Sequence, residues 1–293
     1  MAAAAKVKGT DLAGHMSSVE QAMLYTGQEM TVGELLPVAG GQAAVYSRCA
    51  PDKETGNEDA AALIPLGTDS AVLVVADGMG GLKAGELASS LAVRTLLREV
   101  QATATEALGL RDAILNGIEK ANEQVSALGV GAGTTLAAVE VQGRTIRPYH
   151  VGDSMILVVG QRGKIKFQTV SHSPVGYAVE AGYLDENEAM EHRERHLVSN
   201  MLGSPDMRID VGPPITMAFR DTLIVASDGL SDNLLVDEIA ERARKGPLLG
   251  CLDLLIHDSL LRMQGAQTEK PSKPDDLSLI LFRGPTGKPL KIG

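Results

Sequence analysis

Two apolar runs that end in acid and glycine constrain this chain more than anything else in it. Ala71-Val72-Leu73-Val74-Val75-Ala76 runs into Asp77-Gly78-Met79-Gly80-Gly81, and Thr222-Leu223-Ile224-Val225-Ala226-Ser227 runs into Asp228-Gly229-Leu230. Each run reads as a buried strand, so the acid at its exit stands where the strand meets solvent. The glycine behind the acid admits a ligand or a second backbone at close range. Two such corners in one chain suggest a shared carboxylate site, which would be a metal site.

With 293 residues the chain can bury a real core, as one large domain or two small ones. Aromatic residues make up 3% and Trp is absent, so that core must be aliphatic and Met-rich. The formal net charge of −10 argues against nucleic acid and against an anionic membrane as partners. A phosphorylated substrate stays open, because bound divalent cations reverse the local sign. Cys49 and Cys251 lack Cys-x-x-Cys spacing, which argues against a zinc or disulfide framework. No apolar stretch reaches the ~18 residues of a transmembrane helix, and Met1-Ala2-Ala3-Ala4-Ala5-Lys6 has no signal-peptide core. A cytoplasmic monomer is the expectation.

Residues 1–30 read as an extension, partly flexible or helical, with a short helix around Val19 to Tyr25, and residues 31–293 as one domain. Gly33 to Leu36 and Gln42 to Tyr46 read as strands that lead into Asn57-Glu58-Asp59. Leu87, Leu91, Leu96 and Leu97 mark a helix over Gly85 to Val100, and Ile114, Ile118, Ala121 and Val125 mark another over Glu106 to Leu128. Four β runs follow at Thr134 to Val141, Thr145 to Val151, Met155 to Val159 and Lys164 to Val170. Their short turns predict one antiparallel meander. From Ser171 to about Pro214 the pattern breaks into a charged insertion. A strand over Asp221 to Ser227, helices over Asn233 to Arg244 and Pro247 to Met263, and a strand over Leu277 to Phe282 complete an α+β chain.

Acids recur in similar surroundings at Glu58-Asp59, Asp77, Asp153, Asp228 and Asp275-Asp276. Any one of them reads as a turn residue; the recurrence argues for a centre. Carboxylates gathered at one sheet end would repel and raise each other's pKa unless cations intervene. Oxygen donors without His or Cys neighbours favour magnesium or manganese over zinc or copper.

Asn57-Glu58-Asp59, Asp77-Gly78-Met79-Gly80-Gly81, Gly133-Thr134-Thr135, Gly152-Asp153-Ser154, Ser227-Asp228-Gly229-Leu230-Ser231-Asp232 and Asp275-Asp276-Leu277-Ser278 resemble, in this order, the motifs of the metal-dependent protein serine/threonine phosphatases of type 2C. The likeness runs from about residue 40 to 283, and the Asp-Gly-Met-Gly-Gly form is similar to the bacterial branch. It implies a four-layer α-β-β-α sandwich, two central antiparallel sheets flanked by helices, with a two-metal centre between the sheets at one end. Asp77 would bridge two Mg2+ or Mn2+ ions. Asp228 and Asp275 would complete the first ion's protein ligands, and Glu58 with the Gly78 carbonyl would serve the second. Asp59 and Asp276 would hold waters behind them. Asp153, Asp228 and Asp232 match the positions of a weaker third ion, and residues 171–212 resemble the family's flap.

The implied reaction is hydrolysis of phosphoserine and phosphothreonine on proteins modified by a serine/threonine kinase. Divalent cations acidify the attacking water and neutralise the phosphate oxygens, so no protein nucleophile is needed. The sequence departs from the family twice. An Arg that commonly binds the substrate phosphate is missing before Glu58, and Arg48 and Lys53 are the nearest cations. Met79 stands where many eukaryotic members have a His proposed to protonate the leaving alkoxide, and Met cannot do so. The first departure leaves a second expectation open, a catalytically silent member that binds partners.

Other motifs fall short. The glycines at 78–85 lack the Gly-x-Gly-x-x-Gly and Lys-Ser/Thr patterns of nucleotide loops. Gly152-Asp153-Ser154-Met155-Ile156 is no serine-hydrolase elbow. His150 reads as a satisfied strand-end residue. His172, His192 and His196 read as solvated loop histidines, and Glu191-His192-Arg193-Glu194-Arg195 as an exposed helix face.

Overall fold

The computed structural model describes residues 21–80, 83–103, 109–129, 131–266 and 270–285. Two antiparallel sheets pack face to face. In the first, β1 (Met23–Thr26), β4 (Asp59–Pro65), β5 (Ser70–Met79), β7 (Leu136–Gln142), β8 (Thr145–Val151) and β11 (Asp210–Val211) lie side by side in that order. Two short strands join its flanks, β6 (Gly133–Thr134) on β5 and β12 (Ile215–Thr216) on β8. The second sheet runs β10 (Ile165–Gln168), β9 (Met155–Val159), β13 (Thr222–Ala226), β14 (Leu277–Arg283), β3 (Gly41–Arg48) and β2 (Glu34–Val38).

Helices close both outer faces, as the family likeness implies. α1 (Lys83–Thr103) and α2 (Leu110–Ser126) cover the first sheet, and α6 (Val236–Ala243) and α7 (Leu248–Met263) cover the second. α5 (Asp228–Ser231) is a single turn after β13, and α3 (Pro174–Glu180) and α4 (Glu186–Glu191) belong to the insertion. Four layers explain why the two apolar runs do not alternate with polar residues. On β5, Ala71, Leu73 and Val75 point between the sheets while Val72, Val74 and Ala76 point under the helices. β13 divides likewise, Leu223 and Val225 inward, Ile224 and Ala226 outward. A strand covered on both faces loses apolar surface from water at every residue.

Several expectations need correction. The helix around Val19 to Tyr25 does not form in the described part: Met23–Thr26 is a strand paired with Ala60 to Leu63, so the first sheet begins inside the supposed extension. Asp59–Pro65 is a strand that the sequence hides, because its three alanines carry weak strand propensity and their burial on both faces overrides it. The leucine stripe of α1 is buried except at one end: Leu96 lies in the core with Ala88, Ala92, Val93 and Val100, Leu91 and Leu97 pack against it, and Leu87 is 52% exposed. On α2 the stripe of Ile114, Ile118, Ala121 and Val125 is the buried one. Gly81 and the expected helix start at Glu106 lie outside the described residues.

The meander breaks at its centre. β7 pairs with β8 and β9 with β10, but β8 and β9 lie in different sheets. The chain crosses between layers through Gly152-Asp153-Ser154, which carries Asp153 to the end of the sandwich. In the insertion, α4 ends at Glu191 and the charged stretch after it is turn, not helix. Among the described residues no helix is long and apolar enough to cross a membrane.

Candidate metal centre

Antiparallel pairing assembles the acids, because the exit of one strand lies beside the entrance of its neighbour. Asp59 opens β4 directly opposite Asp77 near the end of β5. In the other sheet Asp228 follows β13, and Asp275-Asp276 precede its partner β14. The glycines of the two corners let these segments close. A Cβ on Gly78 would lie 2.1 Å from the Gly85 carbonyl oxygen and 2.6 Å from that of Glu58, and one on Gly229 would lie 2.0 Å from that of Asp276. The close backbone approach inferred from the acid-glycine corners is met at both.

Each acid is held in a distinct way. Asp77 is fixed through its backbone: its N–H donates to Thr135 Oγ1 at 3.0 Å, and its carbonyl accepts from Thr135 N at 2.9 Å and Thr134 Oγ1 at 2.8 Å. Asp59 accepts from Ser227 Oγ at 2.7 Å, which ties the two sheets together. Asp276 spends its oxygens on the protein, accepting from Ala50 N at 2.8 Å, Glu58 N at 2.6 Å and Lys53 Nζ at 2.7 Å. It therefore orients the chain that carries Glu58.

Among the described residues, three carboxylate oxygens are buried and lack any hydrogen-bond partner: Glu58 Oε1, Asp59 Oδ1 and Asp228 Oδ1. Buried acceptors are rarely left so. Glu58 Oε1 and the Gly78 carbonyl oxygen also crowd one point, since a Cβ on Gly85 would lie 2.5 Å from the first and 2.7 Å from the second. The titration behaviour has the same origin. Burial raises Asp77 well above the carboxylate range, and Asp228, Asp59, Asp275 and Asp153 raise it further. Asp59, Asp153 and Asp228 shift the same way, each first by burial and then by neighbouring acids. Asp275 is raised to about 6 by burial and by Asp228. Orphaned oxygens, an all-oxygen donor set and mutual repulsion fit divalent hard cations.

The cations have their own places. Lys53 Nζ bonds Glu58 Oε2 at 2.8 Å as well as Asp276. Arg48 ends β3 opposite Leu277 and pairs with Glu29 at 3.8 Å, with its side chain 45% exposed. Lys273, which no expectation included, reaches Asp228, Asp232 and Asp275, whose oxygens gather within 4.8 Å of one another. The one signal for it was its place two residues before Asp275.

His150 is buried, its Nε2 has no partner, and its pKa is lowered to about 3 by burial and then by His172, so it is not the satisfied residue expected. His172 is buried too, against expectation: Nδ1 accepts from Gly152 N at 3.1 Å and from Asn200 Nδ2 at 2.8 Å, which leaves the ring proton on Nε2 facing Asp210 at 3.0 Å. It roots the insertion on the turn that carries Asp153. Between the insertion and the α5–α6 segment lies a cavity of about 370 Å³, floored by Asp153, Asp228 and Asp232 and walled by Val175, Val179, Leu234 and Val236.

Comparison with known proteins agrees with this geometry. A family model described as protein phosphatase 2C matches residues 51–252. A protein phosphatase 2C-type sequence from Streptococcus pyogenes is 35% identical over 179 residues, covering 57% of this chain and 70% of that one. The protein phosphatase PhpP of Streptococcus pneumoniae is 30% identical, covering 64% of this chain and 79% of its own. The solved structure of the Streptococcus agalactiae serine/threonine phosphatase superposes with a TM-score of 0.71 at 28% identity, over 83% of this chain and 99% of that one.

Proposed function

The chain belongs to the protein phosphatase 2C family, and on that premise we propose how its acidic corner works as a metal-dependent protein serine/threonine phosphatase. Asp77 would lie at the heart of the site and help hold the divalent cations, magnesium or manganese. Asp228 and Asp275 would hold one ion with it, and Glu58 and the Gly78 carbonyl the other. The observation that carries this reading is the set of buried, partnerless oxygens on Glu58, Asp59 and Asp228. Cations held there would supply the acidity of the attacking water and the charge that offsets the phosphate oxygens, the chemistry of two-metal hydrolases.

The residues around them position and screen. Asp276 and Lys53 hold Glu58 in place, so Lys53 acts on the metal site before it acts on substrate. Arg48, half exposed and paired with Glu29 at 3.8 Å, is the freer cation for the phosphate. Asp59 and Ser227 keep the two sheets in register behind the centre. Met79 has no acidic proton and burial keeps His150 from becoming an imidazolium near neutral pH, so neither is suited to protonate the leaving oxygen. The cavity beside Asp153 receives the part of a phosphoprotein that flanks the phosphorylated serine or threonine.

Phosphate release from a phosphothreonine peptide tests the reading. Hydrolysis is expected with manganese and not after chelation. Asp77→Asn and Asp228→Asn are each expected to lower kcat by at least about 10²-fold, the scale of losing one preorganised electrostatic group. A manganese-saturated wild type inert toward phosphopeptides and aryl phosphate alike would instead support the silent binding protein.

A further inference from the structure

Lys273 places an ammonium inside the acidic corner. Its Nζ donates to Asp228 Oδ2 at 2.9 Å and Asp232 Oδ2 at 2.5 Å, and lies 3.0 Å from Asp275 Oδ2. An ammonium has three N–H donors; two of them bond carboxylates, and a third carboxylate lies at ion-pair distance. The position is built into the fold. Asn233, fully buried, accepts the Lys273 N–H on Oδ1 at 3.0 Å and donates from Nδ2 to the Lys273 carbonyl at 2.8 Å. The same Nδ2 donates to the Gly229 carbonyl at 3.0 Å, so the backbone of Lys273 is latched to the corner that carries Asp228.

Asp228 is thereby divided between two sides. Oδ2 faces the ammonium, whereas Oδ1 is buried without a partner and Asp77 is among its charged neighbours. A divalent ion at Asp153, Asp228 and Asp232 would meet an ammonium already bound to two of those three acids; an ion at Asp77, Asp228 and Asp275 would meet it only on the outer oxygens of two, and would keep the partnerless inner oxygen of Asp228. We propose that Lys273 is a tethered cation standing in place of the third metal ion, so that this chain binds two ions and keeps the outer oxygens of Asp228, Asp232 and Asp275 neutralised at any metal concentration. The inference rests on the metal-dependent reading of the corner. It goes beyond it in making one counter-ion part of the chain.

Counting manganese on the metal-free full chain by equilibrium dialysis tests it. Wild type is expected to take two ions, Lys273→Met to gain a third of weaker affinity, and Lys273→Arg, which keeps the charge, to stay at two. Metal-free Lys273→Met is also expected to melt several degrees below metal-free wild type, because three clustered carboxylates lose their counter-charge. A wild type that takes three ions overturns the proposal and leaves the phosphatase reading standing, and it does so whether or not the variant folds. A Lys273→Met protein that takes no more ions than wild type overturns it equally. A wild type that takes none overturns both.

Discussion

Ser227 holds more of the site than its size suggests. Its Oγ donates to Asp59 Oδ2 at 2.7 Å and accepts from Ser278 N at 3.0 Å, all in the interior. Ser227→Ala leaves a buried acid and a buried N–H without that partner, and each such loss costs about 1–3 kcal/mol. Urea denaturation of the metal-free protein is expected to show a loss in that range; an unchanged midpoint would mean that water replaces the hydroxyl. At this scale the acids were legible and their attendants were not. Asp77 and Asp228 announce themselves because an acid after a long apolar run is unusual within a few residues of sequence. Ser227, Asn233 and Lys273 matter through partners tens of residues away, and ordinary surface or turn residues look the same until those partners are known.

Among the elements, the insertion shows how much hangs on a single root. His172 accepts from Gly152 N and Asn200 Nδ2, its own N–H donates to the Gly152 carbonyl at 2.9 Å, and its carbonyl accepts from Ser199 N at 2.7 Å. His172→Ala strands Gly152 N and Asn200 in the interior while the sheets keep their packing. Amide exchange across residues 171–200 is expected to accelerate roughly tenfold or more with exchange in β5 and β13 unchanged, the mark of a local opening. Uniform acceleration would show that His172 supports the whole fold. The strands β5, β7, β8, β9, β13 and β14 were readable from apolar runs. β4 was not, since alanine leans toward helix and only burial between β1 and β5 makes it a strand. Nor was the break between β8 and β9, because a three-residue turn looks the same whether it folds a hairpin or carries the chain to another sheet.

The molecule as a whole gathers its negative charge where it is most costly. Burial and neighbouring acids raise Asp77, Asp59, Asp153, Asp228 and, to about 6, Asp275. The metal-free native state then keeps protons that the unfolded chain has released, so these groups destabilise it as pH climbs from about 4 through 6 and above. Cations bind the deprotonated acids, and the sign reverses. The rise in melting temperature on adding manganese is therefore expected to grow between pH 5 and 7, as followed by thermal denaturation with and without the ion. A rise that is flat with pH would place the ions elsewhere. The lysines at the corner, Lys53 and Lys273, have pKa values raised by their acid partners, so the stability they lend is lost only at alkaline pH, outside this window.

By itself the sequence determined the α+β class, the two buried strands and the identity of the acids at their exits. Those follow from local composition and from the order of short motifs, which the chain carries without needing to fold. Only the tertiary structure decided which oxygens are left for cations and which are already taken. Asp276 turned out to hold Glu58, and Asp228 to share itself between an empty-handed inner oxygen and the ammonium of Lys273. Hydrogen-bond partners are set by which strand ends meet, and antiparallel pairing across two sheets brings together residues whose separation along the chain says nothing of their distance in space.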